Sequence, residues 1–378
     1  MAVNKLDITM MEDVGTSASQ LLQRDGSGNL PAVDASQVSG LSEFTTSTSD
    51  PAIDANLSVG SLWYNKTSGE MYVCTDATAG SNVWTNVGAG SGNIPVYSFQ
   101  FAQISGYAMT GYTGSNVDRI DKWSVTSDAD ATDVGNMSAI RDCGGYSSST
   151  TGYQCGGYDG SRSNRIHRMT FASDSDSVDS SNLTLGRSGG CSGSESETHG
   201  YWTGGYSSSA VNTIDKMQFS TNADATDVGD LSSTLQSKAA GINSLTHSFT
   251  AGGTYHTTVI DKWSHASDGN GSATGTLSTG RASCTGQQDA THGYASGGGS
   301  GVEIDRFAFA SDGATSNVGS LTVGGDGTYS CSSATYGYNA GSYPSQDVID
   351  KYQFQATADS SDVGNLTLSR GSGASAQV

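Results

Sequence analysis

The tripeptide Ile-Asp-Lys, or a near variant, returns at Ile120, Ile166, Ile214, Ile260, Ile304 and Ile349, so the successive intervals are 46, 48, 46, 44 and 45 residues. A beat this regular restricts the fold to an array of one small unit, in which each copy buries its faces against its neighbours. A second landmark keeps time with the first. Gly-Tyr stands at Gly106-Tyr107, Gly152-Tyr153, Gly200-Tyr201, Gly293-Tyr294 and Gly337-Tyr338, with Ser248-Phe249 in the remaining slot. Three or four residues beyond each aromatic comes a Gly, doubled at Gly156-Gly157, Gly204-Gly205, Gly252-Gly253 and Gly297-Gly298 and single at Gly111 and Gly341. A third element reads Asp133-Val134-Gly135-Asn136-Met137 and returns as Asp227-Val228-Gly229-Asp230-Leu231, Asn317-Val318-Gly319-Ser320-Leu321 and Asp362-Val363-Gly364-Asn365-Leu366.

Between these landmarks each unit has about four short extended segments, separated by Gly, Ser and Asp turns, and no stretch of helical period. Composition agrees. The 378 residues include 51 Gly and only 14% charged residues, without the Ala, Leu, Glu and Lys excess of helical bundles. Seventeen Tyr, nine Phe and five Trp together with the low charge argue against simple disorder. Four strands in about 45 residues make one blade of a β-propeller. The expected fold is therefore all-β: a six-bladed propeller over residues 93–378, preceded by an extended arm at 1–45 and a small β-hairpin module at 46–92.

Gly-Tyr-x-x-Gly-Gly, Ile-Asp-Lys-aromatic and Asp-Val-Gly-x-Leu resemble kelch repeats, and most of all the kelch-like repeats of bacteriophage virion proteins. The resemblance covers about residues 95–378. It departs from the eukaryotic kelch pattern after Ile-Asp-Lys, where Trp123, Met169, Met217, Trp263, Phe307 and Tyr352 stand in place of fixed aromatics. The tail Arg370-Gly371-Ser372-Gly373-Ala374-Ser375 matches segments that open other units, such as Arg141-Asp142-Cys143-Gly144. It is expected to supply the first strand of the first unit and so close the propeller, with Ile94–Phe101 as the competing segment.

Residues repeated once per unit are read as scaffold. Asp121, Asp215, Asp261, Asp305 and Asp350 beside Lys122, Lys216, Lys262, Arg306 and Lys351 suggest a ladder of charge pairs between strands or blades; the second unit substitutes His167-Arg168. His199, His247 and His292 each follow a Thr and precede the aromatic landmark, so they are repeat positions in preference to a metal triad or a catalytic base. Cys143, Cys191 and Cys284 fall on the expected innermost strand, as buried free thiols. The six cysteines show no CxxC or Cys/His metal spacing. In the acidic turns, Asp128, Asp130 and Asp133, and Asp224 and Asp227, place oxygens at alternate residues as calcium loops do. They lack the Gly and distal Glu of an EF-hand, and such residues also form turns by bonding their own backbone. The loops after the double Gly differ most between units, and Tyr112, Tyr158, Tyr206, Tyr255 and Tyr343 on them are the candidate receptor contacts, with chemistry suited to sugars or to packing alike.

The run from Leu21 to Asp34 carries turn signals but no apolar face sufficient for a domain, and resembles the virion-attachment segments of phage fibre and appendage proteins. Gly60–Asn65, the turn Lys66–Gly69, Glu70–Cys74 and Val83–Gly88 read as a hairpin plus a third strand, similar to a module of tail fibres, especially of marine phages. Gly88–Gly92 reads as a flexible linker.

Seventeen Lys and Arg against 37 Asp and Glu give a net charge of −20, which excludes most nucleic-acid partners. No apolar run approaches the roughly 18 residues of a membrane span, and no signal peptide is expected at the start. No cofactor is expected, and catalysis is disfavoured because every prominent polar residue has counterparts in sister units. The resemblance implies a virion protein, made in the host cytoplasm, that docks on other virion proteins through its arm and attaches to a host-surface glycan or protein. It also implies a homo-oligomer, a trimer for a fibre. A purely architectural capsid or tail decoration protein is the alternative, and a propeller carbohydrate-active enzyme the third class.

Overall fold

Strands dominate because the short segments between Gly and Asp turns lack helical periodicity and satisfy their backbone by pairing with one another. A computed structural model describes residues 44–87, 101–189, 193–235, 239–253, 257–299, 301–311, 313–344 and 346–378, and none of these is helical. The chain divides into two compact units, Met1–Tyr97 and Ser98–Val378.

In the first unit, Leu62–Asn65, Met71–Asp76 and Val83–Asn86 form the expected hairpin and third strand. A fourth strand, Phe44–Ser47, adds in parallel to Leu62–Asn65. Tyr72, Cys74 and Trp84 are the core, with Leu57 and Trp63 packed against it.

The second unit contains six antiparallel sheets of the same plan. The second sheet, Gly144–Ser147, Thr151–Cys155, Arg165–Thr170 and Val178–Asn182, shows the order in which each is built. The first sheet takes three strands in sequence, Ser105–Tyr112, Asn116–Ser124 and Thr132–Asn136, and its innermost strand is Ala374–Gln377, paired Ala374 to Met109 and Ala376 to Tyr107. The segment Ile94–Phe101 lies almost wholly outside the described residues, as does the arm through Glu43. The fourth sheet gains a fifth, parallel strand, Gly313–Ala314.

The repeat has a physical account at each landmark. The Ile-Asp step carries a β-bulge: Ile120 faces Gly135 but Asp121 faces Asp133, so Val134 is the extra residue of Asp-Val-Gly. The same shift recurs after Ile166, Ile214, Ile260 and Ile304. The Gly of Gly-Tyr admits the large side chain of the third strand, since a Cβ on Gly106 would fall inside the Trp123 indole, and one on Gly337 inside the Tyr352 ring. Gly156 and Gly157 take φ of +60° and +108°, and a Cβ there would strike Trp202 and the Arg141 carbonyl.

Each sheet packs face to face on the next. Tyr107 and Met109 of the first sheet meet Met169 and Phe171 of the second; Tyr153 and Ile166 meet Trp202 and Met217 of the third; Tyr201 and Ile214 meet Trp263 of the fourth. Phe249 meets Phe307 of the fifth, Tyr294 meets Tyr352 of the sixth, and Tyr338 and Ile349 meet Trp123 of the first.

A chain of hydrogen bonds between the innermost strands follows the same succession and returns to its start. The Gln377 N–H donates to Ser147 Oγ (2.8 Å), the Ser147 N–H to the Glu195 carboxyl, and the Glu195 N–H to Asn243 Oδ1 (2.9 Å). The Asn243 N–H then donates to Gln288 Oε1 (3.4 Å), the Gln288 N–H to Ser332 Oγ (2.9 Å), and the Ser332 N–H to Gln377 Oε1 (2.9 Å). One side-chain oxygen per sheet thus serves the neighbouring sheet's backbone, which a buried amide needs.

Candidate functional site

Ile-Asp-Lys directs its two charges to different partners, because successive side chains of a strand face opposite ways. The aspartates turn inward. Asp121 meets Arg370 at 2.7 Å, Asp215 meets Arg187 at 2.7 Å and Asp305 meets Arg281 at 3.1 Å; all three carboxylates are fully buried. A hydroxyl and an N–H complete the shell, as where Thr184 donates to Asp215 through N (3.0 Å) and Oγ1 (2.6 Å). Leu235 and Gly325 occupy the corresponding arginine positions of the fourth and sixth sheets, and burial raises the pKa of Asp261 and Asp350 there. The expected charge ladder is therefore two systems, since the lysines reach across to the next sheet: Lys122 to Asp174 (2.7 Å), Lys216 to Asp268 (2.7 Å) and Lys351 to Asp128 (2.6 Å).

The acidic turns clasp neighbouring sheets. Asp130 accepts the Asn365 N–H (2.9 Å) and Asp224 that of Asn182 (2.8 Å), as Asp176 and Asp359 do for Asn136 and Ser320 (2.9 Å each). Asp133 pairs with Arg119 (3.4 Å), and Asp227 accepts the Gly229 N–H (3.1 Å). The calcium candidates Asp128, Asp130, Asp133, Asp224 and Asp227 are thus engaged by protein groups. Among the described residues no three His, Cys, Asp or Glu side chains gather as a metal site.

His199, His247 and His292 repeat one contact, with Nδ1 2.8 Å from the hydroxyl of the preceding Thr198, Thr246 or Thr291. A different histidine was not legible as special: His265 stacks on Tyr201 (centroids 5.7 Å, 13°), and its Nε2 lies 2.9 Å from Ser248 Oγ. Burial lowers its pKa to about 4. Ser248 has no exposed surface and donates to Asn243 Oδ1 (3.2 Å), so this neutral pair fills the slot where other units have Gly. Cys143 and Cys284 are buried and line a cavity between the innermost strands, together with Cys331, while Cys191 lies outside the described residues. That cavity has a volume of about 60 Å³.

The tyrosine loops share one end of the sheets, each closing a bridge to the segment that opens its sheet: Tyr112 to Gly371, Tyr158 to Arg141, Tyr206 to Ser188 and Tyr343 to Asp326. Tyr255 lies outside the described residues. Tyr343 and Tyr112 approach to 5.5 Å between centroids, and the Arg141 guanidinium lies 4.4 Å from the Tyr112 ring centre and 5.1 Å from that of Tyr158. Arg162 covers Tyr206 at 4.5 Å. The first four residues make a continuous ridge with Tyr343 at 40% exposure. Arg141 holds the repeat position of Arg187, Arg281 and Arg370, but the aspartate it would meet is His167. Without a buried carboxylate it turns outward, beside Asp142 (3.4 Å), and stacks between two tyrosines. The signal in the sequence was the substitution His167-Arg168. The chain matches no protein-family model and no curated protein.

Proposed function

We propose that residues 98–378 form a six-bladed kelch-like β-propeller, and that the protein is a structural and adhesive component of a bacteriophage virion. As a tail fibre or appendage it would display the propeller toward a host-surface glycan or protein. Six equivalent sheets in cyclic succession and the returning chain of inner hydrogen bonds support the propeller reading. The observation that carries the recognition reading is the Tyr343–Tyr112–Arg141–Tyr158 ridge, where one unit breaks the repeat and presents aromatic faces and a cation on loops anchored by a rigid scaffold. The buried Asp–Arg pairs and the Thr–His contacts recur as framework, which favours binding over chemistry.

Attachment to other virion proteins is assigned to the arm before Phe44, and oligomerisation would add avidity to weak single-site contacts. The test is adsorption competition: purified protein added before the phage should protect host cells, and Arg141→Ala with Tyr343→Ser should protect less. Absence of competition by the unmodified protein would overturn attachment in favour of an architectural decoration role.

A further inference from the structure

A groove of about 410 Å³ opens between the second and third sheets, at the end opposite the tyrosine ridge, between the turns at 148–150 and 218–222. That volume lies within the roughly 300–1,000 Å³ of small-molecule sites. It coincides with a second break in the repeat. Where Lys122, Lys216 and Lys351 each meet a turn aspartate of the next sheet, Arg168 faces Asn222, and among the described residues it makes no ion pair. Asn222 is held by the Tyr153 hydroxyl, which donates to its Oδ1 (3.0 Å). Arg306 of the fifth sheet also lacks a turn aspartate, but there Gln355 fills the interface, bonded to Asp289 and 2.9 Å from His292 Nδ1. Between the second and third sheets, no side chain among the described residues takes the place of Gln355.

The lining has a definite chemistry. Arg168 and the Gln218 amide supply donors, Glu197 supplies a carboxylate acceptor, Ser148 and Thr150 supply hydroxyls, and part-exposed Phe219 is fixed by stacking on Tyr153 (5.4 Å, 16°). The two charges of the lining cancel, and a chain of net charge −20 disfavours an anion. A pyranose matches this set: an apolar C–H face for the aromatic ring, and neighbouring hydroxyls that both give and take hydrogen bonds. We propose that this groove binds a neutral hexopyranose, such as the terminal sugar of a glycan, with Arg168 and Glu197 bracketing its hydroxyls over Phe219. The proposal goes beyond the virion reading and does not depend on it.

Saturation-transfer NMR on the full chain tests it, with methyl β-D-galactopyranoside, methyl β-D-glucopyranoside and glucuronate as probes. At least one neutral glycoside should receive saturation, with glucuronate weaker. Arg168→Ala and Phe219→Ala should each weaken binding at least tenfold, with an unchanged thermal midpoint for Arg168→Ala. Glu197→Gln, which keeps an acceptor, should lose less. No transfer to either neutral glycoside, preference for glucuronate, or undiminished binding by Arg168→Ala would overturn the assignment.

Discussion

The Arg370 guanidinium meets the Asp121 carboxylate at 2.7 Å across 249 residues of chain, with neither side chain exposed. Arg370 also donates to the carbonyls of Thr110 (2.8 Å) and Ala108 (2.9 Å), so one side chain ties the segment that leads into Ala374–Gln377 to two strands, Ser105–Tyr112 and Asn116–Ser124. Asp121→Asn leaves that cation buried without its anion and should cost about 3–5 kcal/mol. Asp350 has no guanidinium in contact among the described residues, and burial raises the pKa of its carboxyl against the hydrogen bonds from Thr322 that lower it. Asp350→Asn should therefore cost less than half as much. Urea midpoints at constant m-value compare the two; equal losses would refute this division of labour.

Removal of residues 370–378 should uncover the Ser105–Tyr112 edge along with the buried faces beside it. Light scattering behind size-exclusion chromatography should then show self-association. A monomeric truncated chain of unchanged stability would mean that Ala374–Gln377 contributes nothing to closing the first sheet.

Glu195 is the one acid in the returning hydrogen-bond chain. Burial holds its pKa at about 8, against the Ser147 N–H that lowers it. The folded protein keeps this proton after the unfolded chain has released it, so stability from this group is complete below the ordinary Glu range and is lost as pH rises through about 8. Glu195→Gln should preserve the acceptor and flatten the decline in stability between pH 5 and 8. Unchanged slopes in denaturant titrations over that interval would contradict it.

Gly106→Ala should destabilise by roughly 1–3 kcal/mol, because its new methyl must displace the Trp123 indole or Cys331 Sγ. The shift should appear in the thermal midpoint and in Trp fluorescence. A neutral result would show that Trp123 and Cys331 yield to the methyl without cost.

Much of the second unit was legible because one pattern was written six times: the strand count follows from Ile-Asp-Lys, Asp-Val-Gly and Gly-Tyr, and the inner strand of the first sheet from the tail Arg370–Ser375, whereas the bulge after Ile120 has no mark in the sequence alone. Contacts between non-adjacent residues were not. Asp121 sits beside Lys122 in the chain, yet period-two alternation sends them apart, and the true partner Arg370 has no local mark. Phe44–Ser47 escaped notice because Phe-Thr-Thr-Ser shows no apolar alternation and pairs in parallel with a distant strand. At the candidate site, the tyrosines were visible but not the cation between them. Both Arg141 and Arg168 owe their positions to carboxylates missing elsewhere in the sequence, at His167 and Asn222.

Pairing of Ala374–Gln377 with Ser105–Tyr112 also sets a clock. From Tyr112 to Ala374 the ribosome adds 262 residues (374 − 112), which at about 5–20 residues per second takes roughly 13–50 s. For that time the first sheet waits with one side unmade while five others emerge. Nascent chains crowded on one messenger are then the species most exposed to mispairing, and slowing translation downstream of Tyr112 would lengthen the hazard.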